Sequence, residues 1–292
     1  MPELPEVETM CRGIMSIVGS RIGNLQRPRT PFQPIKIAPR ITDFKRRVVG
    51  RSIIGVRRLG KRVVVALDKH DWAQGETDAG DCILFEPRMS GLILLADPPD
   101  WAHVRLVFEL SGRRGGQLIF WSQRGLGVVR LVSPRLLHRD YGPKRLGPDA
   151  LDISLEMLRE RLASSRRAVK VALMDQKVLA GIGNLYASEI LHRVGIHPEM
   201  ACNILRPGQW KKLHAAIREV LQEAIRHQGS TLSDGTYRIS RDQPGSHQLR
   251  HRVYQRAGQP CLECGKTQIV RIVQAQRSSF FCPRCQKAPG NR

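Results

Sequence analysis

The chain opens Met1-Pro2-Glu3-Leu4-Pro5-Glu6-Val7-Glu8-Thr9, a stretch that places an amine nucleophile at the terminus itself once Met1 is removed. A small second residue such as Pro2 permits that removal, and the new terminus is then a secondary amine flanked by carboxylates. An α-amino group has a reference pKa of about 8, so a useful fraction is unprotonated near neutral pH. Attack of such an amine on a sugar C1′ gives an iminium ion, an electron sink that permits elimination at neighbouring carbons. This chemistry suits a lyase acting on deoxyribose. The bland alternative for Glu6 and Glu8 is an acidic helix start: Pro5 suits a first turn, and Val7, Cys11, Ile14 and Val18 follow with helical spacing to Gly19.

A second group of reactive side chains lies near the other end. Cys261, Cys264, Cys282 and Cys285 form C-x2-C, seventeen intervening residues and C-x2-C, the spacing of a tetrahedral zinc site with four thiolate ligands. One structural zinc per chain is therefore expected, because a segment of this size has too little apolar surface to fold alone. Cys11, Cys82 and Cys202 are isolated and read as small buried apolar residues.

Charge narrows the choice of partner. Lysine plus arginine number 48 against 26 aspartate plus glutamate, a formal net charge of +22 in 292 residues. That excess points to a polyanion. Nucleic acid is favoured over a membrane surface, since no run approaches the ~20 apolar residues of a span. The start lacks the basic and apolar regions of a signal peptide, so a reducing cytoplasm is the expected compartment.

The elements that must position these groups follow from periodicity. Val63 to Val65, Ile83 to Phe85, Leu92 to Leu95, Val104 to Leu110, Leu118 to Trp121 and Val128 to Val132 are β-rich runs between turn signals, which suggest a sandwich or barrel-like domain. Gln74 to Asp81 reads as an exposed hairpin loop, and Pro134 to Asp152 as a linker. From Ser154 the period becomes helical, with Leu155, Leu158 and Leu162 on one helix and Pro207 opening a long one. Between them, Gly181-Ile182-Gly183-Asn184 feeds a helix N-terminus, a ready phosphate clamp. Ser230 to Gln259 is irregular, and Arg277 stands between the cysteine pairs, at the tip of any hairpin formed there.

Three motifs carry a resemblance to the bacterial formamidopyrimidine-DNA glycosylases, which excise oxidised purines such as 8-oxoguanine and cleave the abasic site. They are Pro2 to Thr9, Gly183-Asn184-Leu185-Tyr186-Ala187-Ser188-Glu189, and the four-cysteine module with Ala275-Gln276-Arg277; the match spans nearly the whole chain. The resemblance implies an α+β fold: an N-terminal catalytic helix and β-sandwich (1–135), a linker (136–153), a helix–two-turn–helix DNA-binding domain (154–230), a lesion-capping loop and connection (231–256) and a zinc-finger β-hairpin (257–292). It also implies roles. Pro2 would be the Schiff-base nucleophile, Glu3 the proton donor that opens the sugar ring, Glu6 their support, and Lys61 a strand lysine assisting base release and β-elimination. Arg277 and Asn184 would grip the phosphate, with Arg277 also the proton donor for δ-elimination, and Lys170 would add a backbone contact. Met89, Arg124 and Leu126 would fill the hole left by the flipped nucleotide, and His103 would contact DNA. Damaged double-stranded DNA is the implied partner, bound by a monomer away from membranes.

The chain departs from the family pattern at Glu86, Trp101, Ser122-Gln123 and Leu126, where the family usually has histidine, histidine, Asp-Pro and phenylalanine. A carboxylate at Glu86 would repel a phosphate unless the backbone runs differently. Two other readings remain: an endonuclease VIII-like glycosylase for oxidised pyrimidines, which Leu4 and Val7 disfavour, and a zinc-containing lesion-binding protein without catalysis.

Overall fold

Short, nearly continuous apolar runs build the first unit, Met1–Gly142 with His227–Ser246, in the computed structural model. The structure describes residues 2–68, 79–112, 115–232, 235, 237–239 and 243–288. Strands β1 (Arg21–Gln26), β7 (Val104–Ser111), β8 (Gly116–Ser122) and β6 (Gly91–Leu94) form one antiparallel sheet in that order. The second sheet runs β2 (Lys36–Ala38), β9 (Val128–Val132), β5 (Ala79–Glu86), β4 (Arg62–Asp68) and β3 (Ile53–Leu59), with only β2 and β9 parallel. Val63, Val65, Leu67, Ile83 and Phe85 of the second sheet share one buried cluster with Leu106, Phe108, Leu118 and Phe120 of the first. This common core makes the pair a sandwich. Val64 and Leu84 alternate to the opposite face, where with Val132 of the same sheet they pack against Leu137.

That outer cover corrects the expected linker. Pro134–Tyr141 is a helix, α3, capped by the Ser133 side chain, which accepts from the Leu136 amide at 3.3 Å. Pro134 is a first-turn proline here, not loop punctuation. The hairpin loop expected at Gln74 to Asp81 lies largely outside the described residues, and its last three positions belong to β5. Helix α1 (Leu4–Gly13) is shorter than the spacing to Gly19 implied: a 3-10 turn, Met15–Ile17, replaces its continuation. α1 packs against β3, β4 and β6, and α2 (Ile41–Val48) against β1 and β2.

The second unit is Pro143–Arg226 with His247–Arg292. Its helices are α4 (Leu155–Leu162), α5 (Val169–Leu173), α6 (Asn184–Val194) and α7 (Pro207–Arg226). α6 lies at the centre, packed on α5, α7 and the C-terminal hairpin. Gly195 ends it in the left-handed conformation, φ 68°, a region that glycine enters without a side-chain clash. The hairpin pairs β10 (Val270–Gln274) with β11 (Arg277–Phe281) across a two-residue turn. Ala275 and Gln276 both have positive φ there, 46° and 60°, as a tight hairpin turn with the twist of its strands requires. Among the described residues, no helix is long and apolar enough to cross a membrane.

Candidate functional site

The first group of site residues grows from the start of α1. Pro2 is buried, and so are Glu3 and Glu6. Glu3 caps the helix in a reciprocal box: its side chain accepts from the Glu6 amide, and its own amide donates to Glu6 Oε2 at 2.8 Å. The other Glu6 oxygen, Oε1, accepts from the Ser230 amide at 2.9 Å. One carboxylate thus fixes both the residue after Pro2 and Ser230, the residue immediately before the segment expected to close over a lesion. Gly229 makes room for it. With φ 77°, Gly229 would place any Cβ 2.9 Å from Glu6 Cγ and Oε1. Tyr237 seals the far side, donating its hydroxyl to the Gln228 carbonyl at 2.9 Å. Burial, then the Glu6 charge, drives its phenol far above the ordinary range, so it remains a neutral donor. Met1 and residues 233, 234, 236 and 240–242 of the expected capping loop lie outside the described residues.

Lys61 is not within a strand, as expected, but in the Gly60-Lys61 turn that joins β3 to β4. Arg58 ties this turn to α1. It donates through Nε to Glu8 Oε2 at 3.0 Å and through Nη1 to the Gly60 carbonyl at 3.3 Å.

The three expected filling residues occupy adjacent loops. Met89 sits at the β5–β6 turn, 36% exposed, and Arg124 and Leu126 are exposed between β8 and β9. Ser90 Oγ accepts from the Arg124 amide at 3.0 Å, joining the two loops. Buried Arg105 holds the second loop from beneath, donating to the Ser122 carbonyl at 2.9 Å and the Gln123 carbonyl at 3.4 Å. His103 is stacked on Phe32 with ring centroids 4.2 Å apart, and its Nδ1 lies 2.8 Å from Asp100 Oδ1. Glu86 is buried, with Tyr141 donating to it at 2.9 Å and Arg88 and Arg62 nitrogens at 3.1 and 3.5 Å. Two guanidiniums thus stand beside the one carboxylate, which leaves the immediate surroundings of Glu86 net positive.

A second group is assembled within the other unit. Asn184 begins α6 and donates through Nδ2 to the Ser278 carbonyl at 2.9 Å, which sets it beside exposed Arg277 at the hairpin turn. Lys170, expected to add a backbone contact, lies behind Asn184 and the hairpin. Its side chain is fully buried, and Nζ donates to Asn184 Oδ1 at 2.6 Å, Ser279 Oγ at 2.7 Å and the Ser278 carbonyl at 3.0 Å. Sequence spacing gave no sign of this, because the partners lie 14 to 109 residues away.

The four cysteines converge as expected, with their sulfurs all within 4.8 Å of one another. Cys261 and Cys285 sulfurs are 3.9 Å apart, and Cys264 and Cys282 sulfurs 3.7 Å. A tetrahedron of Zn–S bonds of about 2.3 Å has edges of about 3.8 Å, so the set fits zinc. The Lys266 amide pulls the Cys264 thiol down to about 6, while burial and the neighbouring thiols raise Cys285. A dication resolves that conflict by letting all four ionise together. Glu189 binds the module's approach to α6, accepting from the amides of Arg252, Val253 and Tyr254 at 2.8 to 3.0 Å.

Comparison with known proteins covers the whole architecture. Residues 1–129 match the formamidopyrimidine-DNA glycosylase N-terminal domain, 146–236 the H2TH domain of the same enzymes, and 258–288 a zinc finger found in FPG and IleRS. Formamidopyrimidine-DNA glycosylases of Chloroflexus aggregans and Bacillus subtilis are 40% and 37% identical to the chain, each alignment covering 98% of it and 98% and 99% of the relative. Lactococcus lactis Fpg, solved with DNA containing an abasic site, superposes with a TM-score of 0.83 at 30% identity, over 98% of this chain and all of that one.

Proposed function

The chain belongs to the formamidopyrimidine-DNA glycosylase family, and on that premise we propose how its own residues divide the work of excising an oxidised purine and cleaving the abasic site. The enzyme is a DNA glycosylase for oxidised purines with abasic-site lyase activity, carries a structural zinc and binds damaged DNA.

The Pro2 amine, freed by loss of Met1, attacks C1′ as the damaged base departs with a proton, and Glu3 protonates the sugar-ring oxygen so that the ring opens to an iminium. Lys61 assists base release and the first elimination, in which a C2′ proton is lost and the 3′ phosphate leaves. In the second elimination a C4′ proton is lost and the 5′ phosphate leaves with a proton donated by Arg277. Asn184 and Arg277 grip the lesion phosphate, positioning C1′ for a modest nucleophile. Lys170 acts through Asn184 and the hairpin. Met89, Arg124 and Leu126 occupy the space of the extruded nucleotide, His103 contacts the strand, and 231–256 closes over the base. The protein works as a monomer in the cytoplasm.

The observation that carries this reading is the Glu6 carboxylate, shared between the Glu3 and Ser230 amides beside buried Pro2. It holds the nucleophile's neighbour and the root of the capping segment in one fixed geometry before substrate arrives. Borohydride trapping on duplexes containing 8-oxoguanine, an oxidised pyrimidine or a bare abasic site tests it. A covalent adduct that is lost in Pro2→Gly, and in protein retaining Met1, is expected. Adduct formation that survives Pro2→Gly assigns the nucleophile elsewhere, and trapping of the pyrimidine lesion in preference to 8-oxoguanine contradicts the substrate class.

A further inference from the structure

The zinc-site sulfurs have a neighbour that four-thiolate coordination does not itself require. His192, in the last turn of α6, is 4% exposed and brings Nε2 to 3.6 Å from Cys261 Sγ. Its other nitrogen, Nδ1, is buried with no hydrogen-bond partner among the described residues. This asymmetry selects the tautomer. A metal-bound thiolate only accepts, so a hydrogen on Nδ1 would leave one N–H unpaired and set the Nε2 lone pair against a negatively charged sulfur. A hydrogen on Nε2 removes both penalties.

We propose that His192 is a positioning residue of the zinc centre, donating Nε2–H to the Cys261 thiolate and fixing the end of α6 to the metal site. Four thiolates on one zinc carry a formal charge of −2, and a donor to one sulfur draws off part of it. That makes Cys261 a poorer target for protons and electrophiles, and slows its departure from the metal. The same bond has a mechanical consequence. His192 and Asn184 stand at opposite ends of one helix, eight residues or about 12 Å apart at 1.5 Å per residue. Glu189, between them, holds the amides of residues 252 to 254. A metal site clamped to the last turn of α6 therefore steadies the helix that presents Asn184.

The test uses full-length, zinc-loaded protein with two substitutions. His192→Phe retains a ring of similar size without the donor, and His192→Gln retains an N–H on a side chain long enough to reach the sulfur. Zinc release into a chromogenic chelator is timed, and the thiolate-to-metal charge-transfer band of cobalt-substituted protein is recorded. Loss of an outer partner typically costs about 10–100-fold in metal affinity, so His192→Phe is expected to release zinc faster by about that factor and to shift the cobalt band. His192→Gln should restore most of both. Equal release from wild type and His192→Phe with an unshifted band overturns the proposal. So does equally fast release from both variants, which would assign the effect to ring packing and not to the N–H. Wild-type protein isolated without zinc would instead remove the four-thiolate premise.

Discussion

Replacing Lys170 with methionine separates a residue that touches DNA from one that positions a residue that does. Methionine keeps the length of the side chain but removes the ammonium and its three bonds, to Asn184 Oδ1, Ser279 Oγ and the Ser278 carbonyl. Two of those acceptors keep other partners: the Ser278 carbonyl retains Asn184 Nδ2 at 2.9 Å, and Ser279 still donates to Gln274 Oε1 at 2.6 Å. Asn184 Oδ1 is left orphaned. Hydrogen bonds to charged groups contribute about 1.5–3 kcal/mol each, and because Asn184 is only half-buried its orphaned acceptor falls toward the low end of the roughly 1–3 kcal/mol cost of a buried one. Relief from holding a cation out of water offsets part of that loss. A net destabilisation of about 1–3 kcal/mol is expected, read as a lower midpoint in urea.

Asn184 also loses one of the two side-chain bonds that orient it, so affinity for abasic-site DNA should fall by up to about tenfold, or about 1.4 kcal/mol. The decisive measurement is the salt dependence. A side chain that neutralises a phosphate contributes about 0.9 to the slope of log K against log salt. Lys170 is spent on protein oxygens, so the slope of Lys170→Met should equal that of wild type while the lines are offset. A slope reduced by about 0.9 would refute the positioning argument, as would unchanged affinity and stability.

Three further outcomes follow from the geometry. Arg277→Ala, which removes an exposed guanidinium beside Asn184, should weaken DNA binding and lower the salt slope by about 0.9; parallel slopes would remove Arg277 from the phosphate clamp. Gly229→Ala forces a Cβ to within 2.9 Å of Glu6 Cγ and Oε1 at a left-handed backbone position, so it should cost about 1–3 kcal/mol of stability and slow borohydride-trapped adduct formation. Trapping at the wild-type rate would show that the Glu6 bridge is dispensable. Burial first, and then His247, lowers the His251 pKa from 6.5 to about 3. Its stabilising neutrality is complete above pH 6.5 and is lost as pH falls through that window, at about 1.4 kcal/mol per pH unit. Denaturation of wild type and His251→Gln across pH 7 to 4 should therefore converge toward the acid end, and parallel curves would exclude His251 as the source.

Local chemistry was legible along the chain because its signals are local. Cys261, Cys264, Cys282 and Cys285 announce their metal through spacing alone, and the sulfur separations match it. Apolar runs rich in β-branched residues announced six strands, since strands buried on both faces leave a nearly unbroken apolar stretch. The strands β1, β2 and β3 were missed, being short or interrupted by charged and glycine residues such as Gly23, Gly55, Arg57 and Arg58. α3 was missed because Ser133-Pro134 carries the same residue types in a helix start as in a linker.

What the sequence by itself determined was the inventory: an acid-flanked N-terminal amine once Met1 is lost, a basic surface, four thiols at metal spacing and a glycine turn feeding a helix. What only the tertiary structure decided was which groups share an atom. Glu6 bridges Glu3 to Ser230 across 224 residues, Lys170 reaches Ser279 across 109, and His192 meets Cys261 across 69. Such partners are chosen by packing of elements distant in the chain, and a buried lysine and an exposed one are the same letter. Hydrogen-bond direction and desolvation, which assign Lys170 to protein oxygens and His192 to a sulfur, exist only once the surrounding core has closed.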